Sequence, residues 1–205
     1  MSPVVNLAPG RRATLQRRIR LLVTATISYN VIEAAVALAA GTRASSTALI
    51  GFGLDSLIEV SSAAAIAWQF AAPDPGTRER AALRFVALSF FALALYITVE
   101  SALALSGRSE ARPSPVGIAL AAVSLVVMPL LSWAQRTAGR ELGSRSAVAD
   151  SKQTLLCTYL SGVLLVGLVL NAWLGWSWAD PVAALVVAAV AAREGREAWR
   201  GDTCC

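Results

Sequence analysis

Six stretches of mainly apolar residues, separated by short charged segments, limit what this chain can fold into. A helix needs about 20 such residues to cross a bilayer. The stretches run over about 21–41, 46–70, 85–105, 116–135, 154–174 and 178–192 of a 205-residue sequence. None has the alternation of period two that barrel strands need, and an open sheet cannot satisfy its backbone in lipid. The expected fold class is therefore an all-α polytopic membrane protein with six transmembrane helices, the whole chain forming one domain. Charged residues are 15% of the chain, against about 25% in an ordinary soluble domain, which excludes that class. Three cysteines are too few to frame a disulfide-rich secreted scaffold. The last span is short and takes Trp176 and Trp178 as interfacial anchors at its entry.

The basic residues orient these spans. Arg11, Arg12, Arg17, Arg18 and Arg20 precede the first, and Arg78, Arg80 and Arg84 separate the second from the third. Arg136, Arg140, Arg145 and Lys152 separate the fourth from the fifth, and Arg193, Arg196 and Arg200 follow the sixth. Only Arg43, Arg108 and Arg112 fall on the opposite side, a division of fifteen to three among the 18 Lys and Arg. The positive-inside rule then places both termini in the cytoplasm. Because these arginines flank spans, their partners are anionic lipid headgroups and not nucleic acid. The apolar run after the N-terminal basic segment is too long for a signal peptide and lacks a small-residue cleavage site, so it reads as a retained span. The segments between spans are too short to be domains, and no soluble domain is expected after the sixth. The compact chain without a targeting peptide suits a bacterial inner membrane.

Acidic residues inside the spans carry the functional information, because a charge at a helix centre costs roughly 2.5–3.5 kcal/mol even on a lenient insertion scale. Glu33 lies in span one, Asp55 and Glu59 in span two and Glu100 in span three, with no Lys or Arg at comparable depth. Each acid must be protonated, hydrogen-bonded, hydrated or bound to a cation. Asp55 and Glu59 are four residues apart and so share a helical face. Such a pair is stable with one proton or with a metal between the carboxylates, and exchanging the two is the chemistry of an antiporter. The competing reading is a protonated pair that only bonds helices together.

Span five opens with Gln153 and Cys157, also four apart, with Asp150 a turn earlier. At about 1.5 Å per residue, Glu59 lies about 10 Å and Cys157 about 5 Å above the inner edge of a core about 30 Å thick. The two pairs can meet in the inner half of the membrane, Cys157 toward Asp55 and Gln153 toward Glu59. Glu33, one turn after Asn30, fits a proton relay, a supporting partner of the site, or a protonated acid bonded across helices. Glu100 sits near the outer end of span three, where it can snorkel. Asp180 before Pro181 reads as an N-cap, and Pro129 is positioned to kink span four. Cys204 and Cys205 suit an unstructured tail, metal capture or a lipid anchor.

At this point the sequence resembles the cation diffusion facilitator, or cation efflux, family. The segment GTRASSTALIGFGLDSLIEVSS is similar to that family's second helix with its acidic DxxxD or HxxxD pair. SAVADSKQTLLCTYLSG is similar to the entry of its fifth helix, and WADPVAALVVAAVAAREGREAW to its sixth. The resemblance covers roughly residues 17–201 and implies export of a divalent cation against protons by a homodimer. It places the transport site on Asp55, Glu59, Gln153 and Cys157; from their positions in the sequence, Asn30, Glu33 and Asp150 are read beside it as proton-relay or supporting residues. This chain has no histidine, so Gln153 stands where an imidazole is usual and Cys157 where a carboxylate is. A thiolate with two carboxylates makes a reasonable tetrahedral set for Zn²⁺, with Gln153 or water as the fourth donor, and sulfur tilts the choice toward zinc or cadmium. No cofactor is called for beyond the transported cation. Without histidine, a GxSxG elbow or a Walker loop, an enzyme is not expected. A metal-binding regulatory subunit without turnover and a secondary transporter of an organic cation remain as alternatives.

Overall fold

The computed structural model describes residues 9–70, 76–107, 110–142 and 145–200. Six helices account for nearly all of them: α1 (Pro9–Ala44), α2 (Thr47–Phe70), α3 (Gly76–Leu105), α4 (Pro115–Leu142), α5 (Arg145–Leu174) and α6 (Ala179–Arg200). No strand occurs among the described residues. Helices α1 to α5 each contain a stretch long and apolar enough to span a membrane. The 22 residues of α6 rise about 33 Å, but its apolar part ends at Ala192. Cys204 and Cys205 lie outside the described residues.

The helices form an antiparallel bundle, as their tied ends reveal. On one side, here the far side, the Arg112 N–H donates to the carbonyl of Ala44, joining the end of α1 to the start of α4. On the same side Asn171 near the end of α5 donates to the Ala111 carbonyl at 2.9 Å. On the near side, Arg11 Nε at the start of α1 donates to Glu141 Oε1 at the end of α4, 2.8 Å away.

The far-side helix ends lie within three residues of the expected limits, whereas α1, α3, α4, α5 and α6 run about two turns or more beyond them on the near side. Hydropathy registers only the part of a helix that must lie in lipid. The added residues, such as Arg11 to Arg20 and Arg193 to Arg200, are rich in good helix formers and continue the helices toward water. The far side instead carries stop signals. Ser45 adopts φ 53° while the N–H groups of Ser46 and Ser45 return to the carbonyls of Gly41 and Thr42, which is a Schellman turn with serine at the left-handed position. Gly175, φ 68°, ends α5.

Asp180 does not cap its own helix. It lies within α6, is 1% exposed, and accepts hydrogen bonds from Ser46 Oγ and the Ala48 N–H. Its carboxylate thus fills the N-terminus of α2, where unpaired N–H groups and the helix dipole favour negative charge. Ser46 caps α2 from within the chain, through Oγ to the Leu49 N–H at 3.1 Å. The start of the acid-bearing helix is therefore anchored to α6.

Lipid tails are as apolar as leucine, so close packing rather than water exclusion holds the helices together. Ala37, Leu49, Phe52, Ile97, Leu164, Leu168 and Val187 form part of one interior cluster. Gly167 lets α5 approach α6 so closely that a Cβ there would sit 2.8 Å from Ala183 Cβ and 3.3 Å from the Ala179 carbonyl. Leu95, Trp133 and Trp173 are exposed on the outside of the bundle, where lipid would cover them. Trp176 and Trp178 stack at the α5–α6 turn with centroids 5.3 Å apart.

Candidate functional site

Polar residues recur at helical spacing along otherwise apolar helices. On α1 they are Thr26, Asn30 and Glu33; on α4, Ser124, Ser132 and Gln135; on α5, Ser151, Thr154, Cys157 and Ser161. All are buried, so each set forms a stripe on one helical face, and the stripes meet beside the acidic face of α2.

Glu59, partly buried on α2, stands where three helices converge. Asn30 Nδ2 on α1 donates to Glu59 Oε2 at 2.7 Å. Cys157 Sγ on α5 donates to Glu59 Oε1 at 2.7 Å. Asn30 and Cys157 are 3% and 4% exposed. A thiol can donate to this carboxylate only while it holds its proton; loss of that proton would put a thiolate beside a carboxylate, two anionic donors side by side. The oxygen Oδ1 of Asn30 is buried and unpartnered, a state costing about 1–3 kcal/mol for an acceptor that nothing satisfies.

Glu33, 1% exposed, lies within a hydroxyl cage. Ser56 Oγ on α2 donates to its Oε2 at 2.8 Å, and Ser124 Oγ on α4 donates to its Oε1. Tyr29 extends the chain, its hydroxyl 2.8 Å from Ser124 Oγ. A parallel chain ties the near-side half together, from Gln135 Nε2 to Thr26 Oγ1 and from Thr154 Oγ1 to Gln135 Oε1, each at 3.1 Å.

Asp55 is buried one turn from Glu59. It lies within electrostatic range of Glu194 near the end of α6 and of Glu33. Cys157 is within range of Glu59, Asp55 and Glu33. Among the described residues the ion pairs are Arg11–Glu141 and Arg193–Glu197, both on the surface.

The expected site is thus brought together in part. Cys157 meets Glu59 rather than Asp55. From the far side, Cys157 is 17 residues before the end of α5, Glu59 is 12 residues from the start of α2 and Asp55 is 8; at 1.5 Å each these are depths of about 25, 18 and 12 Å. The thiol therefore faces the nearer carboxylate, and a full turn separates it from the other. Accordingly no three Cys, Asp or Glu side chains among the described residues are grouped closely enough to hold one ion. Gln153 and Asp150 belong to the helical backbone of α5, but their side chains lie outside the described residues. Asn30 and Glu33 reach the site region, whereas Glu100 is on α3, half-buried and apart from these hydrogen bonds. Ser56, Ser124, Tyr29 and Glu194 were not anticipated. The helical spacing of polar residues on α4 is the signal that could have revealed Ser124.

A family profile described as the cation efflux transmembrane domain matches residues 23–200. The chain belongs to the cation efflux family. The match runs from α1 to the last residue of α6 and so takes in every helix described above. Among curated proteins, no sequence relative matches. This cation efflux protein is accordingly an integral membrane protein of a family of metal cation transporters, not classical enzymes.

Proposed function

We propose that this cation efflux protein exports a divalent cation, zinc foremost, from the cytoplasm in exchange for protons. Asp55, Glu59 and Cys157 are the anionic donors, and Gln153 or water completes the set. The observation that carries this reading is the 2.7 Å contact of the Cys157 thiol with Glu59 across α5 and α2, in an interior that also holds Asp55 and Glu33. Metal ligands must be deprotonated, so loading the site expels protons and their return expels the metal. Sulfur beside carboxylate favours borderline and soft ions over Mg²⁺ or Ca²⁺.

A small shift of α5 along α2 is all that is needed to bring Cys157 within reach of both carboxylates, because consecutive turns are about 5.4 Å apart. Alternating access supplies such shifts. Glu33, with Ser56, Ser124 and Tyr29, forms a hydroxyl path suited to carrying a proton beside the metal. The protein works as a homodimer in a bacterial inner membrane with both termini cytoplasmic.

The test is flux in proteoliposomes across a pH gradient, run over zinc, cadmium, manganese and iron. Zinc uptake should be driven by the gradient and should collapse in Asp55→Ala. Unchanged, pH-coupled flux in that variant would refute the site.

A further inference from the structure

Resting on that reading of the site, we propose that Asn30 is a metal ligand contributed by α1, its amide oxygen joining Glu59 and Cys157 on the cargo ion. Three buried side-chain atoms among the described residues lack a hydrogen-bond partner: Asn30 Oδ1, Ser62 Oγ and Ser101 Oγ. A hydroxyl can rotate and donate, but an amide oxygen can only accept. Asn30 Oδ1 is therefore the one of the three that only a donor or a cation can satisfy. It belongs to the side chain that already touches Glu59, so the unmet acceptor stands at the edge of the thiol–carboxylate pair.

The other half of the same amide explains how the two states of the site differ. In the protonated site, Asn30 Nδ2–H donates to Glu59 Oε2 at 2.7 Å and Cys157 Sγ–H to Oε1 at 2.7 Å. Each donor holds a carboxylate oxygen that a metal would take. When a dication enters, the thiol proton leaves and the Glu59 oxygens turn to the ion, leaving Nδ2–H facing a positive charge. Half a turn about the terminal torsion exchanges Nδ2 for Oδ1 without moving the backbone. The oxygen then stands about where the nitrogen was, within about 1 Å of the spacing of roughly 3.3 Å that tetrahedral oxygen ligands keep around zinc. The same amide thus stabilises the protonated site as a donor and the loaded site as an acceptor. Helix α1 becomes part of the coordination, and an oxygen donor tempers the softness conferred by Cys157.

The alternative is that Asn30 only positions Glu59 by its N–H. The two roles respond oppositely to Asn30→Asp. An ionised aspartate cannot donate to Glu59 and repels it, so a positioning residue would make Asp as damaging as Ala or worse. A ligand would make Asp better than Ala, since a carboxylate oxygen replaces an amide oxygen on a dication.

Equilibrium binding of Zn²⁺ and Cd²⁺ to detergent-purified protein at pH 7 reads this directly, with the ¹¹³Cd resonance reporting the ligand set. The expected result is a loss of affinity in Asn30→Ala of about 10-fold to 100-fold, typical of residues that support or complete a metal site. Asn30→Asp should bind at least as tightly as the unmodified protein. Asn30→Asp binding no better than Asn30→Ala would overturn the assignment. Should the Asp variant fail to fold, the ¹¹³Cd resonance of Asn30→Ala decides: a shift supports a lost oxygen ligand, and an unchanged resonance refutes it. Cys157→Ala and Glu59→Gln separate this inference from the site itself. If neither weakens metal binding, the site is wrong; if both do while Asn30→Asp behaves as Asn30→Ala, the error lies in the role of Asn30.

Discussion

Replacing Asp180 tests whether α6 fixes the position of the acid-bearing helix. In Asp180→Ala two groups at the start of α2 lose their acceptor: the N–H of Ala48 and the hydroxyl of Ser46. The Ser46 hydroxyl can turn elsewhere, and its oxygen still caps the Leu49 N–H. The Ala48 N–H has no such freedom, because Asp180 is 1% and Ala48 1% exposed. At about 1–3 kcal/mol for a buried N–H left unpaired, the expected cost is about 2 kcal/mol. Asp180→Asn keeps an acceptor oxygen and should cost about 1 kcal/mol. Unfolding by sodium dodecyl sulfate in mixed micelles, followed by circular dichroism, gives these values. A double-mutant cycle with Ser46→Ala should return a coupling of about 1 kcal/mol or more. Because Asp55 lies only eight residues beyond the capped end, zinc flux should fall in Asp180→Ala although the site residues are intact. A stability change below about 1 kcal/mol, with no coupling to Ser46, would refute the view that this carboxylate anchors α2.

The remaining expectations concern the site and one turn. Cys157→Ser should lower cadmium affinity at least about tenfold more than zinc affinity, a difference of about 1.4 kcal/mol; an unchanged cadmium-to-zinc ratio in a binding titration would remove sulfur from the site. Glu33→Gln should leave equilibrium zinc binding within about threefold while flattening the pH dependence of proteoliposome flux, because the hydroxyl cage touches Glu33 and neither Glu59 nor Cys157. A pH profile identical to that of the unmodified protein would eliminate Glu33 as a proton carrier. Ser45→Gly relieves a left-handed residue that costs about 1 kcal/mol in any side-chain-bearing residue, so detergent unfolding should show a gain of about 0.5–1 kcal/mol; a loss would contradict the strain assigned to that turn.

The six helices and their order were legible in the sequence because apolar length and basic flanks are local properties. Lipid imposes them on each span separately. The far-side limits were read well because Ser45, Ser46, Ser114 and Gly175 act as local stop and cap signals. The near-side limits were not, since helices such as α5 continue past the lipid-sized segment into residues that hydropathy counts as flanking.

Sequence alone also determined that acids lie within the apolar stretches of α1 and α2, and that a thiol lies within α5. Which of them meet was decided only by tertiary structure. Spacing along one helix fixes a face but not the depth at which a neighbouring helix crosses it, and about 5 Å of relative height is enough to exchange Asp55 for Glu59 as the partner of Cys157. The roles of Asn30, Ser124 and Asp180 likewise depend on which helix stands opposite, because a polar group in a bundle is satisfied by whatever its neighbour presents at that height.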